Sequence, residues 1–127
     1  TFDPDRVTSL TTKNVRTSAQ TYAIRTREQV EADEELSELS ARDLDARGSA
    51  NYMTLLERLI YGLKYFSETR KPLDAYGWTL CVGSRNYGGS RTVPRVGPTD
   101  LGGDKVFIDY RSADEIRINL RARQVVS

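Results

Sequence analysis

The chain has 127 residues, the size of one ordinary domain, with 38% hydrophobic and 29% charged residues. No segment approaches the ~20 apolar residues of a membrane span, so we expect no membrane contact. A single cysteine, Cys81, excludes an internal disulfide framework. The chain contains no histidine, which excludes Ser-His, Cys-His and His-zinc chemistry.

The net charge of +1 is unevenly distributed along the chain. Residues 27–47 carry eight acidic side chains against three arginines, a net charge of −5, whereas residues 77–127 carry eight basic and five acidic groups, a net charge of +3. Opposite charges in one small chain favour contact between copies, or contact with an oppositely charged partner. The alternative is that both are solvated surfaces. The near-neutral total disfavours a nucleic-acid partner.

The first 25 residues are rich in Thr and Ser and have no helical period. Such a segment cannot bury enough surface to order itself, so we predict an extended or flexible arm that becomes ordered on a neighbouring molecule. Its deletion is then expected to leave folding nearly intact and to impair assembly. The isolated apolar residues that would contact the neighbour are Phe2, Val7, Leu10, Val15, Tyr22 and Ile24. The first ten residues also include Asp3, Asp5 and Arg6 where a secretory signal would be apolar.

Two helices are predicted to open the single domain, residues 26–127. The first covers residues 27–47, with Thr26 as N-cap and Gly48 as C-cap, and has a narrow apolar stripe. The second begins after Ser49 and covers residues 50–68. Its apolar residues occupy more than half of the circumference, so it is predicted to be the main core helix. Those at helical spacing are Tyr52, Leu55, Leu56, Leu59, Leu63 and Phe66.

From residue 77 the apolar period changes to two, which indicates strands. Residues 78–82 alternate, with Cys81 on the face opposite Trp78, and residues 105–110 and 116–126 are further strands. Residues 92–96 are predicted as a short or edge strand, because Pro94 cannot donate a ladder hydrogen bond. The predicted fold class is therefore α+β, with two helices followed by a three- to four-stranded antiparallel β-meander and an extended N-terminal arm.

No pattern in the sequence predicts catalysis. The glycine-rich loop at residues 83–90 lacks the Gly-Lys-Ser/Thr ending of a phosphate-binding loop. Asp109, Asp114 and Glu115 could supply the paired carboxylates of a hydrolase, but Asp114 and Glu115 lie in a predicted turn, where polar residues serve local hydrogen bonding. Cys81 has no histidine partner, so a packing role is favoured. We therefore predict a protein that is not an enzyme, with no catalytic residues, no metal and no cofactor.

A set of arginines is the most specific feature. In the last predicted strand they alternate with apolar residues, which places them on one outer face of the sheet. They could bind an anionic ligand or single-stranded nucleic acid, pair with the acidic region of another subunit, or only keep an exposed face soluble. The candidate binding residues are Arg85, Tyr87, Arg91, Arg95, Arg117, Arg121 and Arg123.

The function predicted from these features is that of a non-catalytic structural protein. It would make protein–protein contacts in a larger, symmetric assembly such as a phage virion, and its partners would be other copies of itself or other assembly subunits. Its expected location is the cytoplasm, or a virion assembled there. The alternative is a small binding module that uses its basic sheet face and Gly-rich loops for an anionic ligand or single-stranded nucleic acid.

Overall fold

The computed structural model describes residues 11–17, 22–29, 31–74, 77–86, 92–98, 106–116 and 120–126. These residues form a mixed four-stranded sheet, a small two-stranded sheet, short 3-10 helices and two α-helices. The predicted α+β class is confirmed, whereas the purely antiparallel meander is not.

The main sheet consists of β2 (Trp78–Leu80), β4 (Thr92–Pro98), β5 (Val106–Ser112) and β6 (Leu120–Arg121), in the order β5-β4-β2-β6. Strands β2, β4 and β5 are antiparallel neighbours. Strand β6 runs parallel to β2, with Trp78 opposite Leu120, so the chain crosses over to the far edge of the sheet. Within the described part of the predicted 116–126 strand, Leu120–Arg121 are the residues that pair in this sheet, and residues 117–119 lie outside the described residues.

The described part of the N-terminal segment, residues 11–17 and 22–25, lies on the chain's own fold. Strand β1 (Thr11–Asn14) pairs antiparallel with β3 (Ser84–Asn86), and the Val15 amide donates to the Gly83 carbonyl. Further on, Arg25 forms a backbone bridge with Val126. Residues Thr11–Asn14 are extended in β1. The expectation that the segment orders only on a neighbouring molecule is wrong for these residues.

The long helix predicted over residues 27–47 is absent. The described part of this region contains only a 3-10 helix, Glu34–Leu36, and a five-residue helix α1, Ala41–Asp45. The physical reason is a competing set of partners: the Asp33 amide donates to the Ala122 carbonyl, and its carboxylate accepts from the Gln124 amide at 2.9 Å. These contacts tie the segment to the end of the chain in an extended form.

The second predicted helix exists but begins later. A 3-10 turn, Ser49–Asn51, precedes helix α2, Leu55–Thr69. Thr54 is the N-cap and forms a capping box with Glu57, and Arg70 ends the helix in the left-handed conformation with φ 60°. The delay arises because the Met53 amide donates to the Arg123 carbonyl, which keeps the preceding residues extended. Within the described ranges, no helix is long and apolar enough to cross a membrane.

Strand β4 is an interior strand despite its proline. The Pro94 carbonyl accepts from the Cys81 amide at 2.9 Å, so the polar backbone atoms of Pro94 face β2. This position lies just past the end of β2, where the Cys81 carbonyl accepts from the Ser84 amide instead. No ladder hydrogen bond requires a donor from Pro94. The prediction of an edge strand is therefore wrong.

The core lies on both faces of the main sheet. Leu80, Val82 and partly buried Trp78 pack in a larger cluster with Leu44 and Leu120, among others. On the other face, Cys81 and Val96 pack beneath Leu55 of α2. The predicted alternation through residues 78–82 is thus confirmed, with fully buried Cys81 opposite Leu80 and Val82. Burial raises the pKa of the Cys81 thiol to about 12, which leaves it protonated and inert at neutral pH.

Candidate functional site

One face of helix α2 changes from buried to exposed along its length. Leu55 and Leu56 in the first turn are buried, whereas Ile60, Leu63 and Phe66 are 47%, 54% and 49% exposed. Leu56, Ile60, Leu63 and Phe66 recur at intervals of three or four residues and lie on one broad apolar stripe, which Leu55 borders. The prediction that Leu63 and Phe66 are core residues is wrong. We call Ile60, Leu63 and Phe66 the α2 face.

The exposure follows from where the sheet lies beneath the helix. Leu55 and Leu59 pack against Cys81, Val96 and Ile108. Among the described residues, this cluster includes no later residue of α2. The last turns of the helix therefore have the apolar pattern of a core helix, but this cluster does not cover them.

An apolar groove adjoins this helix. It has a volume of about 730 Å³ and lies between residues 22–28 and one side of α2. This is the volume range of ligand and peptide pockets, which are mostly apolar with a few placed polar groups. The lining residues are Tyr22, Ile24, Arg25, Thr26, Glu28, Met53, Leu56, Glu57, Ile60, Tyr61, Lys64 and Glu68. Ile60 belongs to both the groove and the α2 face, so the two form one continuous surface.

Glu57 anchors the polar end of the groove. Its carboxylate accepts from Arg16 Nε at 2.7 Å, from the Tyr22 hydroxyl at 2.7 Å and from the Thr54 amide at 2.9 Å. Burial pushes the pKa of Glu57 upward, but the hydrogen bonds from Arg16, Thr54 and Tyr22 outweigh it, and the pKa lies below its usual value. Burial and the Glu57 carboxylate raise the pKa of Tyr22 to about 12. The polar end of the groove is therefore formed by Glu57 together with Arg16 and Tyr22, two residues of the N-terminal segment.

The charged side chains at the rim of the groove differ in whether they form ion pairs. Lys64 and Glu68 form an ion pair at 2.6 Å within the helix. Arg25 and Glu28 form no ion pair with any residue that the structure describes. Tyr61 stacks edge-on against Tyr65 with ring centroids 6.1 Å apart, and its hydroxyl donates to the Arg27 carbonyl. Both rings are half-buried, which agrees with the boundary packing predicted for them.

Three of the arginines in the predicted binding set are buried and paired where the structure describes them. Arg123 is completely buried, with its guanidinium 2.7 Å from Asp74 Oδ1. Arg85 is buried and pairs with Asp45, and Arg95 is buried, 3.1 Å from Asp109 and stacked over the Trp78 ring. The fourth candidate that the structure describes, Arg121, is partly exposed and donates to the Ala32 carbonyl. Tyr87, Arg91 and Arg117 lie outside the described residues.

Sequence reasoning missed a buried charge cluster. Asp74 pairs with both Arg58 and Arg123, and the Thr79 hydroxyl donates to the same carboxylate. None of these side chains is more than 2% exposed. Burial lowers the pKa of Arg58, with Asp74 acting against that effect. The sequence feature that could have indicated this cluster is Arg58, a charged residue directly after Glu57 in an apolar helix.

Some of the residues predicted to contact a neighbour through the arm are described by the structure, and others are not. Tyr22 forms part of the groove wall of its own chain through its hydrogen bond to Glu57. Phe2, Val7 and Leu10 lie outside the described residues. The role of Tyr22 as an anchor on a neighbour is therefore replaced by an intramolecular contact.

Within the described part of the chain, no group of three or more acidic or cysteine side chains is placed to hold a metal ion. No family model matches the chain, nor does any curated protein or solved structure.

Proposed function

We propose that the protein is a non-catalytic assembly subunit that binds another protein through the α2 face and the adjoining groove. The observation that carries this proposal is the exposure of Ile60, Leu63 and Phe66 on a single stripe of the longest helix. Large apolar side chains scattered over a surface are ordinary, but three on one helix face beside an apolar groove are typical of an interaction site. The setting we propose is a symmetric assembly such as a phage virion.

A non-catalytic role is favoured by how the reactive side chains are used. Asp74 and Asp109 pair with buried arginines, and Glu57 pairs with Arg16. Burial keeps the Cys81 thiol protonated. Because these groups hold the fold together, they are poorly placed to act on a substrate. The buried, paired state of Arg85, Arg95 and Arg123 likewise speaks against a basic surface for an anionic ligand.

The edge of the main sheet is a weaker docking surface than the α2 face. Tyr110 stands opposite Pro94, so its amide points away from β4 at the outer edge of β5. The Asp109 carboxylate accepts a hydrogen bond from this amide at 2.7 Å, which lowers the pKa of Asp109. An incoming strand would have to displace that charged group, and charges at an edge discourage pairing.

The test compares two substitutions at equally exposed apolar positions. Leu63→Glu places a charge on the α2 face, and Ile116→Glu, also at a side chain 54% exposed, is the matched control away from it. Sedimentation velocity over a range of protein concentrations measures association, and thermal melting verifies that both variants fold. We expect the wild type and Ile116→Glu to associate, alone or with a co-purifying subunit, and Leu63→Glu to lose that association. A strictly monomeric wild type with no partner contradicts the proposal.

A further inference from the structure

We propose that the partner of the α2 face is the same face of a second copy, with the two helices packed antiparallel across a two-fold axis near Leu63. This inference rests on the proposed function and names its partner. It follows from three features of the helix: the spacing of its exposed residues, the placement of its charges, and the size of the surface.

The exposed residues are arranged symmetrically about Leu63. Ile60 and Phe66 lie three positions before and after it, and the three are exposed to a similar extent. A two-fold axis at the midpoint of an antiparallel pair places Leu63 against itself and Ile60 against Phe66 of the second copy. Each apolar side chain of the stripe then meets another apolar side chain, as an isologous contact requires.

The charges also favour the antiparallel direction. Arg70 and Lys71, at the end of α2, are exposed and form no ion pair with the described residues. Glu28 and Arg25 both line the groove without an ion pair there, so the unpaired charges of the groove rim balance. Antiparallel packing keeps the two cationic helix ends apart, and it also opposes the two helix dipoles. Parallel packing would bring the cationic ends together.

The size of the surface sets the expected strength. A specific stable interface buries roughly 800 Å² per partner. Three half-exposed side chains on one helix supply only part of that area, even with the groove wall added. The pair is therefore expected to form at high protein concentration, in about the micromolar range or weaker, and to be reinforced by other contacts in an assembly.

Cysteine cross-linking tests the geometry directly. In the proposed pair, residue 63 of one copy lies beside residue 63 of the other, so Leu63→Cys should form a disulfide-linked dimer under mild oxidation. Native Cys81 is completely buried and does not compete. Ile116→Cys, equally exposed but away from α2, is the control for random collision. We expect Leu63→Cys to cross-link about tenfold faster than this control.

Mixing two variants tests the direction of the helices. Ile60→Cys mixed with Phe66→Cys should give more cross-linked dimer than either variant alone, because antiparallel packing joins these positions. If each alone gives more than the mixture, the helices are parallel and the proposal is overturned. If Leu63→Cys is no faster than Ile116→Cys while Leu63→Glu still abolishes association of the wild type with another protein, the pairing of copies is wrong and the proposed function stands. A monomeric wild type without cross-linking overturns both.

Discussion

Asp74 holds two arginines that are distant from each other in sequence. Its Oδ2 lies 3.0 Å from Arg58 Nε of helix α2, and its Oδ1 lies 2.7 Å from Arg123 Nη2 near the end of the chain. Thr79 of β2 accepts from Arg123 Nε at 3.0 Å and donates to Asp74. One carboxylate therefore ties the helix, the sheet and the C-terminal segment together inside the protein.

Substitution of Asp74 by Asn should destabilise the protein strongly. The change leaves two buried guanidinium groups without a counter-charge, and breaking a buried pair in this way costs about 3–5 kcal/mol. Asp114→Asn is the control, because its ion pair with Arg42 has side chains 63% and 65% exposed and contributes about 1 kcal/mol or less. Urea unfolding of the two variants measures the difference. Equal losses for both would show that the buried cluster contributes no more than a surface pair.

Gly62 is predicted to be required by the Arg58 side chain. A Cβ at Gly62 would lie 2.6 Å from Arg58 Nη1, and Arg58 is held in place by Asp74. Gly62→Ala should therefore destabilise the protein by about 1–3 kcal/mol, although alanine alone would favour the helix by about 1 kcal/mol. Ser67→Ala, on an exposed position of the same helix, should be neutral or slightly stabilising. A gain in melting temperature for Gly62→Ala would mean that Arg58 can move freely.

Deletion of the N-terminal segment should affect folding, contrary to the expectation from the sequence. Removing residues 1–25 takes Arg16 and Tyr22 away from the buried Glu57 carboxylate, which should cost about 3–5 kcal/mol, as for other broken buried pairs. Removing residues 1–10 alone leaves Arg16 and Tyr22 in place and serves as the comparison. Chemical unfolding of the two truncations separates the effects. Equal stability of the longer truncation and the wild type would restore the original arm hypothesis.

Glu57 should contribute to the loss of stability in acid. Its pKa in the folded protein lies below the ordinary value of 4.5, so its stabilising effect is complete above about pH 4.5 and is lost as the pH falls through the lower, folded-state pKa. The difference in unfolding free energy between the wild type and Glu57→Gln should be largest near neutral pH and shrink below pH 4.5. Guanidinium unfolding at a series of pH values measures this difference. A difference that does not change with pH would mean that Glu57 is not ionised in its pair with Arg16.

Cys81 should be unreactive in the folded protein. Its thiol is completely buried and burial raises its pKa to about 12, so neither access nor thiolate is available at pH 8. Labelling by a thiol-specific disulfide reagent should be about a thousandfold or more slower than in denaturant, because it requires unfolding. Rapid labelling of the native protein would show that the cluster beneath α2 is open to solvent.

Several features could be predicted from the sequence because they depend on local periodicity. The alternation of Trp78, Leu80 and Val82, with Cys81 on the opposite face, follows from the two-residue period of a strand and is confirmed. The existence of helix α2 follows in the same way from the spacing of Leu55, Leu59 and their neighbours. The α+β class rests on these two patterns.

Other features were decided only by tertiary contacts, since a local pattern shows which side of an element is apolar but not what lies against it. Leu63 and Phe66 have the spacing of core residues, yet they are exposed because the packed cluster ends at Leu59. Arg123 has the position of an outward residue, yet it is buried because Asp74, 49 residues earlier in the chain, provides its counter-charge. The stabilisation from such an ion pair arises only when folding brings residues that are distant in sequence together. A short stretch of sequence therefore cannot predict it.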